Sequence, residues 1–409
     1  MSLATTTRPG PTERHARVAV GVLFFTNGAL FANLLPRYPQ IKAELDVTNA
    51  VYGLAVAAFP AGAIAAGMAA GVLIRRFGSA GVAVAGTILT GVWILAAGLA
   101  SSFTVFAVAL FLAGAMDAIT DVAQNAHGLR VQRRYGRSII NSFHAVWSIG
   151  AVTGGAMAAG AIALGLSRGV HLGVSAAVFA VAALVALRFC LPGREADRAD
   201  DPADGPAGDA SGAPGRAGSA GPGRGPRTSW VLGALVLIAT AGALVEDAGS
   251  SWAAVYLSDA LHAPVALAAS GFIALVGAQF VGRLVGDRLV DRFGQRAVAR
   301  EGGLLVAVGM GVALAFPTVP GTIAGFAAAG LGVATLVPAA MQGADELPGL
   351  RPGTGLTLVS WLMRLGFLFS PPVVGLIADA TSLRTGLLVV PAAGLLVVLL
   401  AGVLRTRRG

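Results

Sequence analysis

The chain has 409 residues, 56% of them hydrophobic and only 12% charged. A single soluble core cannot hide that much apolar surface, so a water-soluble globular protein is excluded. The formal net charge of +9 would suit a nucleic-acid binder. No basic-aromatic recognition module accompanies it, and no nucleic-acid partner is expected.

The apolar residues come in runs of about twenty, the length that crosses a hydrocarbon layer as a helix. Lipid offers the backbone no hydrogen bonds, and the alternation of a membrane barrel is absent. The reading is an all-α integral membrane protein with twelve transmembrane helices in two six-helix, pseudo-symmetric bundles. The first six runs lie near 17–36, 51–73, 79–99, 103–126, 139–162 and 170–191. The second six lie near 229–257, 264–286, 297–316, 319–341, 354–378 and 384–404. This divides the chain into a tail at 1–16, a bundle at 17–191, a linker at 192–228, a bundle at 229–404 and a tail at 405–409. The linker is rich in Gly, Pro, Ala and Asp and has no periodic apolar face, so it is expected to stay disordered. The N-terminal charges lead straight into a full-length run, so no cleavable signal is read. Cys190 is the single cysteine, which rules out an internal disulfide and leaves the redox compartment open.

Arginine placement sets the orientation. One side of the run pattern holds Arg14, Arg17, Arg75, Arg76, Arg130, Arg133, Arg134, Arg137, the linker, Arg288, Arg292, Arg296, Arg300, Arg351, Arg405, Arg407 and Arg408. The opposite side holds only Arg37, Lys42, Arg168 and Arg384. Both termini and the linker are therefore expected in the cytoplasm, with the protein in the plasma (inner) membrane. The basic balance is then a topology signal that also suits anionic lipid head groups.

The two sets of runs repeat. Leu73, Arg76, Phe77 and Gly78 align at one fixed offset with Leu289, Arg292, Phe293 and Gly294. The same offset places Gly114 on Gly330 and Gly150 on Gly366. A duplicated block with a charged turn in each copy is a hallmark of repeated membrane transporters.

Twelve runs, the repeat, a central linker and charged turns after runs 2 and 8 together resemble the major facilitator superfamily. The turn from Asp287 to Arg296 is similar to the family's signature, with Asp291 in the acidic place. The first copy differs, carrying Arg75 there. Three segments resemble the branch of fucose permeases and related sugar-permease-like proteins. They are Asn125–Arg134 with Ser142–Gly150, Ser251–Leu257, and Gly366–Gly375. The resemblance implies alternating access and, in proton-coupled sugar permeases, an acid in the fourth span. Asp117 or Asp121 matches that position. Where those permeases have a second acid in span 1, this chain has Asn27 and Asn33.

Charged groups inside a span are expensive and so are functional candidates. Asp117 and Asp121 are four apart on one helical face, continued by Gln124 and Asn125. Two carboxylates this close resist joint ionisation, which suits a group that takes up and releases a proton. The alternative for Asp121 is a pairing with Arg130 or Arg133. In span 5, Asn141, His144 and Ser148 recur at helical spacing; His144 either contacts solute or is a packed, satisfied donor. Span 7 carries Glu246 and Asp247, one of which is expected to face a polar path, or both of which end a solvated helix. Gly249-Ser-Ser is expected to break that span. Trp252 and Tyr256 either stack on a sugar ring or form an interfacial belt. In span 11, Arg364 requires an anion, from the protein or from the solute. Pro371 and Pro372 are expected to bend it. Asp287, Arg288, Asp291, Arg292 and Arg76 are expected to gate at the cytoplasmic turns, with topology alone as the alternative.

These features point to a secondary transporter of a small solute, with protons and membrane lipid as the other partners and a monomer expected. Proton symport of a sugar or related metabolite leads; antiport efflux of drugs or metabolites stands beside it. An integral-membrane enzyme would need a nucleophile–base pair or metal cluster, and no His-Glu-x-x-His, paired Cys or nucleophile elbow is present. An ATP-driven pump would need a phosphate loop, and the chain's one lysine is Lys42. No cofactor or metal is expected, and a channel filter repeat is missing.

Overall fold

The computed structural model describes residues 10–136, 139–193, 226–348, 350 and 354–404. The side chains of Asn141, Pro226, Arg227, Val265 and Ala266 lie outside the described residues. So do the expected linker from 194 to 225 and the tail from 405 onward.

Among the described residues the regular structure is entirely helical. Eleven helices are long and apolar enough to cross a membrane. The remaining span, Ser270–Phe293, is 24 residues long, but Gln279, Arg283 and Asp287 interrupt its apolar run. With it the chain has the twelve spans expected. Their limits differ from the sequence reading where local chemistry decides.

Span 4 runs over Phe103–Tyr135, well past the expected end at 126. The Ser102 side chain caps its start by accepting from Val105 N, and no proline interrupts it before Gly136. Gly136 ends it at φ 70°, a left-handed conformation that glycine adopts without strain. Arg130, Arg133 and Arg134 therefore lie on the helix rather than in a loop. Arg130 is 4% exposed and donates to the carbonyls of Leu191, Pro192 and Gly193. Those carbonyls follow the end of Arg168–Leu187, span 6. Arg296 does the same at the end of span 12, donating to the carbonyls of Gly402 and Leu404.

One expected irregularity, the break at Gly249-Ser-Ser, falls elsewhere. Span 7 is α-helical from Pro226 to Val255, straight through Gly249-Ser-Ser. Ser250 bonds back to the Glu246 carbonyl at 2.9 Å, and Gly249 packs on Leu275, so the stretch stays closed. The helix widens only at Tyr256–Ala260, into a π turn. In span 11 both prolines lie inside Arg364–Ala380, and the interruption is at Met363, after Thr354–Leu362.

The described residues fall into two compact units, one within Met1–Leu34 and Ala58–Gly208, the other within Leu35–Ala57 and Asp209–Gly409. Residues 35–57, which the sequence assigns to the first bundle, thus pack with the second unit. Three contacts hold them there. Asp379 accepts from Asn49 N and Ala50 N at 2.9 and 2.8 Å, capping the open start of Asn49–Ala66. Lys42 pairs with Asp259 at 3.1 Å, and the Tyr52 hydroxyl donates to the Ser251 carbonyl at 2.9 Å.

Each unit is built on the same glycine contacts. A Cβ on Gly114 would collide with the Phe59 carbonyl, and one on Gly330 with the Leu275 carbonyl. The two pairs are related by the offset read from the sequence. Gly78 and Gly294 obey it too: each ends one helix and starts the next, at φ 79° and 84°. Before each, an arginine lies over a phenylalanine ring at 5.3 Å, Arg76 on Phe77 and Arg292 on Phe293. Small residues at such crossings let membrane helices approach closely where no hydrophobic force drives them together.

Candidate solute and proton site

In the first unit the approach of spans 1 and 5 decides the site. Span 1 is Pro11–Leu34 and span 5 is Ile140–Ala163. Gly28 packs on the Trp147 carbonyl, Gly150 on the Phe25 carbonyl and Gly154 on the Ala29 carbonyl. Backbones this close bring the Trp147 indole to Asn27. Trp147 Nε1 donates to Asn27 Oδ1 at 2.8 Å, and Asn27 Nδ2 donates to Asp117 Oδ1 at 2.8 Å. The amide of Asn27 is thus fixed at both ends, and it is 5% exposed. One turn along span 4, Asp121 is exposed and accepts from Asn125 Nδ2 at 3.0 Å and Gln124 Nε2 at 3.4 Å. Asn27 with Asp117 and Asn125 with Asp121 are thus two bonded pairs one turn apart along span 4, here called the polar track. The His144 ring meets Phe24 edge-on, with centroids 5.3 Å apart. Asn141 belongs to the first turn of span 5, but its side chain lies outside the described residues.

The sequence also holds a buried pair that pattern reading did not single out. His127 Nδ1 lies 2.9 Å from Ser79 Oγ, and His127 Nε2 accepts from Leu191 N at 3.2 Å. Accepting at Nε2 puts the neutral ring's proton on Nδ1, donating to Ser79. This pair ties spans 3, 4 and 6 together at the end where Arg130 works. Asn33 is likewise occupied, accepting from His171 Nε2 at 2.8 Å and Ser175 Oγ at 3.3 Å.

In the second unit, adjacent acids of span 7 have different surroundings. Asp247 is 9% exposed and accepts from Ser251 Oγ at 3.3 Å. Glu246 Oε2 accepts from Gln279 Nε2 at 2.7 Å and lies 3.9 Å from Arg283 Nη2. Arg283 was hidden from sequence reading by its place beside the charged turn, although it falls inside the apolar run at 264–286. Trp252 is fully buried, its ring edge-on to Tyr52 at 5.0 Å, and Tyr256 is 1% exposed. Both rings are therefore enclosed by the protein itself. Trp252 Nε1 and the Tyr256 hydroxyl have no hydrogen-bond partner among the described residues. Arg364 is exposed, stands directly after the break at Met363 and has no partner among the described residues.

The charged turns after spans 2 and 8 behave differently from the track. Asp287, Arg288 and Asp291 are exposed and make no hydrogen bond or ion pair among the described residues. What the turn shares with its first copy is the glycine and the arginine over phenylalanine, with Arg76 and Arg292 in matching places. No group of three or more His, Cys, Asp or Glu suited to a metal ion occurs among the described residues.

Comparison with known proteins agrees with this architecture. The model of the Major Facilitator Superfamily matches residues 20–289 and 231–409. An uncharacterized transporter, y4wD, of Sinorhizobium fredii is 30% identical over 388 residues, covering 95% of this chain and 97% of the relative. Membrane protein MosC of Rhizobium meliloti is 28% identical, covering 95% and 89%. Among solved structures, a mutant form of nucleoside transporter NupG has a TM-score of 0.71 at 12% identity, covering 95% of this chain and 98% of its own. A D-xylose-proton symporter has a TM-score of 0.67 at 16% identity, covering 95% and 96%. The likeness to these two shows the fold. From the family match and the y4wD relative, the chain belongs to the Major Facilitator Superfamily of multi-pass membrane transporters.

Proposed function

We propose that the protein is a proton-coupled secondary transporter of a small hydrophilic solute, working by alternating access in the plasma membrane with both termini in the cytoplasm. Within the superfamily it belongs to the sugar-permease-like branch, on the strength of the segments around Ser142–Gly150 and Gly366–Gly375. It works as a monomer, contacts anionic lipid through its cytoplasmic arginines, and catalyses no covalent chemistry.

The observation that carries this reading is the chain of bonds Trp147–Asn27–Asp117 across spans 1, 4 and 5. An acid placed at membrane depth and oriented by fixed donors is costly unless it is used. In the mechanism, Asp117 holds the coupled proton. Asn27 and Trp147 keep its carboxyl aimed into the polar track, and Asp121 with Asn125 extends that track along span 4. Proton loading at Asp117 removes a charge that Asn27 otherwise stabilises, so the occupancy of the track changes with the proton. A D-xylose-proton symporter and a nucleoside transporter among the structures of similar fold support a polar solute.

The test is exchange in proteoliposomes. Wild-type protein should exchange a polar solute at a rate that depends on pH, and Asp117→Asn should abolish the pH-dependent part with expression intact. Unaltered pH dependence in Asp117→Asn removes Asp117 as the coupling group.

A further inference from the structure

We propose that the transported solute carries an anionic group, a carboxylate or a phosphate. Arg283 receives it, and Glu246 holds the place beside Arg283 until the solute arrives. The proposal rests on the transporter reading above and adds the solute's chemical class.

Arg283 lies in Ser270–Phe293, about 20 Å from the start of that helix at about 1.5 Å per residue. A guanidinium stays charged at any accessible pH and cannot escape its cost by losing a proton. Its side chain is 41% exposed, and exposure of such a group to acyl chains is not tolerated, so it faces a polar path. Its contact with Glu246 is long, at 3.9 Å, while Gln279 holds the same carboxylate oxygen at 2.7 Å. The fork of donors on Arg283 is thus mostly unfilled among the described residues. Arg364 has no partner there at all. The other acid of span 7, Asp247, is 9% exposed and held by Ser251, and it contacts neither arginine.

An accessible arginine in span 8 whose one carboxylate neighbour is loosely placed and held by Gln279 leaves a demand for an anion. A planar carboxylate or a phosphate satisfies a guanidinium in two parallel hydrogen bonds. Gln279 offers a further donor once Glu246 gives way. Glu246 then competes with the solute for Arg283 and Gln279.

The experiment uses the full chain in proteoliposomes loaded with matched solutes: gluconate and glucose, glycerol 3-phosphate and glycerol, adenosine monophosphate and adenosine. Exchange of each member is read by mass spectrometry. The anionic members should exchange and their neutral partners should not. Arg283→Gln should lower anion exchange about tenfold or more, the size of a lost charge-assisted hydrogen bond. Arg283→Lys should keep part of it, because the charge remains without the fork. Glu246→Gln should raise apparent anion affinity, because the internal competitor is gone. Melting without solute checks that each variant folds. Exchange of neutral members alone overturns the anion assignment and leaves transport standing. Full anion exchange in Arg283→Gln overturns the role of Arg283. Loss of exchange in Glu246→Gln overturns the competitor role and makes Glu246 a direct contact. No exchange of any member by folded wild-type protein overturns the anion assignment and leaves membership of the superfamily standing.

Discussion

At the scale of single residues, Asn27 has no freedom left in its amide: one end accepts from Trp147 and the other donates to Asp117. Each bond contributes about 1 kcal/mol net, more where the acceptor is charged. Trp147→Phe keeps most of the ring and removes the donor. It should leave the protein folded and weaken pH-dependent transport roughly fivefold, the equivalent of about 1 kcal/mol. Wild-type pH dependence in Trp147→Phe would show that the indole does not position Asp117. The acid itself was legible in the sequence, since an aspartate in a long apolar run is conspicuous. Its partners were not. They sit on spans 1 and 5, far away in the chain, and nothing in local spacing marks which asparagine of span 1 meets which acid. Arg283 was overlooked for the opposite reason. A dense charged turn follows it, so an arginine at membrane depth looked like part of that turn.

At the scale of elements, helix ends and crossings follow from small groups. The turns at Gly78 and Gly294 were readable because their residues recur in order, and both adopt the same positive φ. The length of span 4 was not readable, because its last turns carry arginines that resemble a loop. Arg130, on the last turns of that helix, donates to the carbonyls of Leu191, Pro192 and Gly193 beyond the end of span 6. The spacing also predicts a break at Gly249-Ser-Ser in span 7. Serine back-bonding and close packing decided otherwise at Gly249, and neither is visible without neighbours. The repeated crossings give a paired prediction. Gly114→Ala and Gly330→Ala each drive a methyl into a backbone carbonyl that cannot yield as a side chain would. Each should cost about 2–3 kcal/mol, the range for overpacking, and lower the melting temperature in detergent. Gly81→Ala, where nothing lies within 4 Å, should be near neutral. Equal melting of all three variants would mean that these crossings do not depend on the missing Cβ.

At the scale of the whole molecule, the twelve-span plan was legible from run length, arginine placement and the repeat, because lipid imposes those rules on every residue of a span. The membership of residues 35–57 in the second unit was not, since it depends on contacts such as Asp379 on the start of Asn49–Ala66. The central claim is that movement of a polar solute is tied to movement of a proton through Asp117. Proteoliposomes enclosing a pH-sensitive dye test it most directly, with a gradient of the exchanged solute imposed and no pH gradient at the start. The account predicts a solute-driven change in internal pH for the wild-type protein and none for Asp117→Asn. Solute movement by the wild-type protein with a flat internal pH would contradict it.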